Sequence, residues 1–135
     1  MRKLNWLYAA PLMVLLISTT GWSTKTIRDI AKSCPNNAAC WTEACAHFQA
    51  LDSDPGTMTL QLNNLVSNWS DIQSKTQGHH TKFCNWCAIT TSAHAHLGTS
   101  QFAGNSHLMD IQKSLGTMLK DCPSDCDFSA DLTCP

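Results

Sequence analysis

Apolar residues recur along this chain at spacings of three and four, the repeat of a helix that buries one side. Met58, Leu62, Leu65, Trp69 and Ile72 form the cleanest stripe, and Leu108, Ile111, Leu115, Met118 and Cys122 form another. A shorter one, Ile27, Ile30 and Ala31, follows Ser23 and Thr24, either of which can cap the first free amides. Trp41, Ala44, Cys45, Phe48 and Leu51 share the face of a further helix, with Asn36 or Asn37 as its cap and Asp52-Ser53-Asp54-Pro55-Gly56 as its breaker. A fainter helical pattern runs through Trp86, Thr90, Ala93 and Leu97, after a polar loop from Lys75 to His80. Gly98 to Asn105 reads as irregular; Asn105 or Ser106 caps the last helix, and Pro123 prevents its clean continuation. Gly116 lies inside that last helix at a cost of about 1 kcal/mol relative to alanine, less than one large apolar side chain contributes by burial. No segment alternates apolar and polar residues as a half-buried strand does, so the pattern predicts an all-α bundle.

The start of the chain reads differently. Basic Met1-Arg2-Lys3, apolar Leu4 to Ile17 and the small or hydroxylated Ser18-Thr19-Thr20-Gly21 follow in the order of a secretory signal, predicted over residues 1–22. As a helix the apolar run would span about 21 Å, short of the roughly 30 Å of a bilayer core, so a retained anchor is not expected. Residues 23–135 then form one domain, long enough for one core and not for two. Without Arg2 and Lys3, seven basic residues face ten acidic ones, a balance that argues against a nucleic-acid or anionic-membrane binder. Asp121, Asp125, Asp127 and Asp131 give the C-terminal end much of that excess; they suit either a solvated tail or a basic partner.

All eight cysteines, Cys34, Cys40, Cys45, Cys84, Cys87, Cys122, Cys126 and Cys134, lie downstream of the signal, so an oxidising compartment makes them a disulfide framework. Cys84-Asn85-Trp86-Cys87 has the spacing of a redox dithiol, but the strand that precedes such a motif is missing. His79, His80, His94, His96 and His107 surround it, yet disulfide sulfurs are not the thiolates a zinc site uses, and no metal or other cofactor is expected. Those histidines are expected to be exposed or partly buried. There is no Gly-x-Ser-x-Gly elbow and Glu43 is the lone glutamate, so no catalytic residue is assigned and no enzyme is predicted. Asn68-Trp69-Ser70 is an N-glycosylation sequon in which Asn68 can face solvent while Trp69 faces the core.

The segment Cys40-Trp41-Thr42-Glu43-Ala44-Cys45-Ala46-His47-Phe48-Gln49-Ala50-Leu51 resembles the second-helix region of the interleukin-2, -15, -21 and -9 group, most like the interleukin-15 type. The likeness continues through Leu62-Asn63-Asn64-Leu65-Val66 and, after a polar interval, reaches the pair Cys84 and Cys87 before a final amphipathic helix. Ile27-Arg28-Asp29-Ile30 is similar to the group's first-helix pattern, in which an acidic residue touches a receptor chain; that implies a receptor role for Asp29. The resemblance spans roughly Thr26 to Lys120 and implies a disulfide-stapled short-chain four-helix bundle with a long crossover before the last helix. It also implies the pairings Cys40 with Cys84 and Cys45 with Cys87.

Two features depart from the family. About five residues join the first two helices, reaching roughly 18 Å, so either the first helix is short or the topology differs. The glutamine that the group presents from its last helix falls near Thr117, more than a turn from Gln112.

The expected function is a secreted, extracellular cytokine-like ligand, monomeric, that binds and brings together class I cytokine receptor chains. Its candidate contacts are Asp29, Asp110, Gln112, Lys113 and Thr117; the same residues also suit a plain solvated helix face. The alternative is a secreted cysteine-rich effector or toxin-like protein acting on a membrane or protein target, a reading its low basic charge weakens for membranes.

Overall fold

Side-chain caps set where most of the helices begin, because each supplies a partner to amides that a helix start leaves free. The computed structural model describes residues 25–126 and Cys134; the expected signal segment, Ser23, Thr24, Asp127 and Asp131 lie outside them. Helix α1, Ile27–Ser33, opens with a capping box in which Thr26 and Asp29 satisfy each other's backbone N–H groups. Thr26 is thus the cap in place of the expected Ser23 or Thr24. Asn36 caps α2, Asn37–Ala50, by accepting from the Ala39 N–H at 2.9 Å. Asp54 caps α3, Pro55–Ser67, which has proline in its first turn, where no N–H is missed. Asn105 accepts from the Leu108 N–H at 3.1 Å and starts α6, Ser106–Met118. Between them lie α4, Trp69–Lys75, and α5, His80–Leu97, neither with a side-chain cap.

The continuous third stripe is divided. Asn68 leaves helical geometry at φ −98° and ψ 3°, ending α3 and preceding α4, yet Met58, Leu62, Leu65, Trp69 and Ile72 all remain buried. The stripe marks a shared face, and the break falls on a residue that points away from it.

Helix α5 is the larger surprise. The faintest pattern in the sequence is the longest helix, 18 residues, and ten of them are buried. Its buried set, Cys84, Asn85, Cys87, Ala88, Ile89, Thr90, Ser92, Ala93, His96 and Leu97, wraps around the helix, so no single apolar stripe emerges. Thr90 and Thr91 donate their hydroxyls to the Trp86 and Cys87 carbonyls, which lets polar side chains enter the interior satisfied. Helices α1, α2 and α6 pack on α5, and α3 packs on α6.

Contacts along the helices fix their directions. Cys45 meets Ser92 and Phe48 stacks on His96, so α2 and α5 run in parallel. Gln112 reaches the His94 carbonyl while Cys122 bonds Cys87, so α6 runs antiparallel to α5. Gly116 belongs to this contact: a Cβ there would lie 3.2 Å from His94 Nε2, tighter than packing ordinarily allows. The glycine that weakens α6 as an isolated helix lets it approach α5.

The long crossover implied before the last helix is not present. Helix α5 fills that interval, and only residues 98–105, with a short 3₁₀ turn at Ser100–Phe102, link it to α6. Within the described residues the chain is all-helical, with six α-helices and four disulfides.

The two implied cysteine pairings are also replaced. Cys34 bonds Cys40, Cys45 bonds Cys134, Cys84 bonds Cys126 and Cys87 bonds Cys122. Register is the reason for Cys45: it lies against Ser92, five residues past Cys87, about 7.5 Å along the helix and outside disulfide reach. Cys40 is instead met by Cys34 at the turn between α1 and α2. No described helix is long and apolar enough to cross a membrane. That and the four disulfides are compatible with an extracellular protein.

The caps differ in chemistry, and the difference is testable. The Thr26 backbone N–H, with the Thr26 hydroxyl second, holds the Asp29 carboxyl below the ordinary aspartate value. The Thr57 hydroxyl, followed by its backbone N–H, does the same for Asp54. Because both folded values are lowered, these caps act fully above the unfolded aspartate value and are lost as pH falls through the folded one. Acidification is expected to fray the first turns of α1 and α3 while α2 and α6, capped by Asn36 and Asn105, hold; carbon chemical shifts followed through the titration would show equal fraying at all four starts if the assignment were wrong. Replacing Cys87 and Cys122 together with serine is expected to lower stability by about 2–4 kcal/mol in denaturant titration, and non-reducing peptide mapping should recover the four linkages given above.

Candidate recognition surface

The last helix presents its candidate contacts unequally. Leu108, Ile111, Leu115 and Met118 point inward, and Asp110, Lys113 and Thr117 fall on the exposed side over two turns. Gln112 does not join them: it is half-buried against α5 and donates Nε2 to the His94 carbonyl at 3.2 Å. Thr117 donates its hydroxyl to the Lys113 carbonyl at 3.3 Å, leaving its methyl group available to a partner.

Helix α3 extends this face. Asn63 and Val66 border a small cleft of about 180 Å3 with His107, Asp110, Ile111 and Ser114 of α6. One turn before Asn63 stands Leu60, 62% exposed, the large hydrophobic side chain left most open among the described residues. Two rigid helices thus carry an acid, a base, amide and hydroxyl groups and one exposed leucine on adjoining surfaces. Neither Leu60 nor Asn63 was a sequence candidate; Leu60 sits off the Met58 to Ile72 stripe, which was a signal for exposure but not for its neighbour.

Asp29 lies elsewhere, on α1, which packs on α2 and α5. Its Oδ2 accepts from the Thr26 N–H at 2.9 Å and from the Thr26 hydroxyl at 3.0 Å, so its carboxylate serves the helix start. The structure therefore brings Asp110, Lys113 and Thr117 together and leaves Gln112 and Asp29 apart from them. Asn68 is exposed at the junction of α3 and α4 while Trp69 is buried, which is the division of roles the sequon requires. Trp69 also donates its indole N–H to Asp121 at 2.9 Å, so one acid of the C-terminal segment has a structural partner.

The cysteine and histidine chemistry resolves into packing. Cys84 and Cys87 face different partners, Cys126 and Cys122, in place of each other. His80 Nε2 lies 3.5 Å from Cys84 Sγ and 3.4 Å from Asp125 Oδ1, a grouping of metal-ligating types. With Cys84 and Cys126 joined, it offers no thiolate.

His96 departs from the expected exposure: it is 7% exposed, with Phe48 stacked at 6.3 Å and Phe102 edge-on at 5.4 Å between ring centroids. Its Nε2 meets Asp52 Oδ1 at 2.6 Å, which satisfies the buried ring and ties the end of α2 to the end of α5.

A second concave surface, invisible as a sequence motif, lies between α1, α4 and α5. It is a groove of about 720 Å3 bordered by Arg28, Lys32, Lys75 and Lys82, with Trp86 and Asn85 among its lining residues. Only the spacing of Arg28 and Lys32, one turn apart on α1, hints at it in the sequence.

No protein-family model, curated protein or solved structure matches this chain. Replacing Asp52 with alanine would leave the His96 nitrogen without its partner and is expected to cost about 1–3 kcal/mol in urea unfolding; an unchanged midpoint would show that the pair contributes nothing.

Proposed function

We propose that the protein is a secreted helical signalling ligand that binds a cell-surface receptor chain through the adjoining exposed faces of α3 and α6, and acts by bringing receptor chains together. The observation that carries this reading is the pairing, on two packed helices, of Asp110, Lys113 and Thr117 with Asn63 and the exposed Leu60. An exposed apolar side chain on a surface that adjoins charged groups of both signs suits a protein partner, with the leucine supplying burial and the charges supplying orientation. Four disulfides support the extracellular setting.

The finer fold reading belongs to the same proposal: α2, α3, α5 and α6 make up a short four-helix bundle, with α1 and α4 as additions. The cytokine resemblance favours class I receptor chains as the partners. The inward use of Gln112 separates this ligand from the family's shared-chain contact. Asp29 is a secondary receptor residue in this proposal, and a glycan on exposed Asn68 stands at the α3–α4 junction. Binding makes and breaks no covalent bond, so catalysis has no part in it.

The oxidised, secreted protein presented to receptor ectodomains from its own source is expected to bind a class I chain. Exchanging the charges, as Asp110→Lys with Lys113→Glu, or replacing Leu60 with aspartate, should weaken that binding by about tenfold or more with the helical content unchanged. Binding to no class I chain, together with leakage of lipid vesicles in the absence of any receptor, would overturn the proposal in favour of a membrane-acting effector.

A further inference from the structure

The groove between α1, α4 and α5 concentrates positive charge in a protein that has little of it. Four of the seven lysines and arginines that follow the signal segment, Arg28, Lys32, Lys75 and Lys82, line it. Among the described acids only Asp71 lines it, and that carboxylate is paired with Lys75 at 3.0 Å. Arg28 and Lys32 come from one face of α1, Lys75 from α4 and Lys82 from α5, so the cluster arises from three helices and not from a run of sequence. Like charges lining one groove repel one another, and an anion in the groove offsets that repulsion.

The lining carries a second, independent demand for a ligand. Asn85 is 6% exposed, and its Oδ1 is buried with no hydrogen-bond partner. Leaving a buried carbonyl oxygen unpaired is costly, and a donor entering the groove beside Asn85 removes that cost. The ligand should therefore bring hydroxyl donors as well as negative charge. Beside Asn85 the groove is apolar, with half-buried Trp86 and buried Ile72, and Thr81 is exposed at its border. A flat body with weakly polar faces, hydroxyls at its edge and anionic substituents fits all three features.

We infer that this groove is a binding site for an acidic oligosaccharide, one carrying sulfate or carboxylate groups on its sugar rings. The sugar face packs on the Trp86 indole, a ring hydroxyl donates to Asn85 Oδ1, and the anionic groups pair with Arg28, Lys32, Lys75 and Lys82. The site uses no residue of the α3–α6 face, so it stands whether or not the receptor proposal does. An acidic glycan at a cell surface would hold a secreted ligand of this kind near its site of release.

The test uses the disulfide-intact secreted protein and a heparin-derived hexasaccharide as probe, with titration calorimetry at low and physiological salt. Binding that weakens with salt is expected, with no binding to a neutral glucose hexasaccharide. Arg28→Ala and Lys82→Ala should each weaken the probe about tenfold, and Lys113→Ala and Lys120→Ala, outside the groove, should leave it unchanged. Asn85→Leu separates a built site from a charged surface: it keeps the charge and the volume, and an approximately tenfold loss is expected because the hydroxyl acceptor is gone. Circular dichroism and disulfide mapping of each variant confirm the fold. Equal losses at Lys113 and Lys120, an unaltered affinity in Asn85→Leu, or no binding at low salt would each overturn the inference. Binding to phosphatidylserine vesicles as tight as to the hexasaccharide would reassign the groove to lipid headgroups and overturn it too.

Discussion

Helix α5 sits among α1, α2 and α6, and the small size of its side chains is what permits this. Alanine, serine, threonine and cysteine at its buried positions let neighbouring backbones approach on several sides. On the α6 side Gly116 answers this in kind, leaving room for His94 where any other residue would crowd it. A central helix built of leucine would bury more area and hold its neighbours farther away. Close approach thus takes the place of bulk, and the threonine hydroxyls are satisfied by the helix's own carbonyls.

The covalent framework follows from that arrangement. Two bonds leave the first part of α5, from Cys84 and Cys87, and fasten the segment that follows α6. Cys45, on the helix parallel to α5, reaches across to Cys134 and closes a loop of 89 residues in sequence separation. Long loops lose the most unfolded-state freedom when closed, so this bond and its partners supply stabilisation that a core of this size does not provide by burial alone. The pairing expected from family resemblance would have joined α2 to α5 directly. In this fold those helices already meet through Cys45 and Phe48, and the sulfurs instead secure what packing leaves loose.

Surface chemistry is divided in the same economical way. The α3–α6 face carries charges of both signs and one exposed leucine, which suits a protein partner. The α1–α4–α5 groove gathers one sign of charge around an aromatic wall, which suits a polyanion. A nearly neutral chain can support both because charge is sorted in space and not in sequence. Among the described residues the last two acids take local partners instead, Asp121 with Trp69 and Asp125 with His80.

The sequence by itself determined the helical class, narrowed two caps to Asn36 or Asn37 and to Asn105 or Ser106, and set the breaker at Asp52-Ser53-Asp54-Pro55-Gly56 and the inward faces of α3 and α6. These depend on interactions within a few residues, where spacing translates directly into geometry. It also placed Asp110, Gln112, Lys113 and Thr117 on an outer face, which held for three of them; Gln112, at the edge of that face, turns to the His94 carbonyl of α5. Only the tertiary structure decided the importance of α5, the partner of each cysteine, the burial of His96 and the convergence of Arg28, Lys32, Lys75 and Lys82. Each of those depends on how one helix slides and turns against another, and a shift of a few residues, such as the five between Cys87 and Ser92, exchanges every partner at once. Local pattern fixes which side of a helix is covered; the register of the neighbour fixes what covers it.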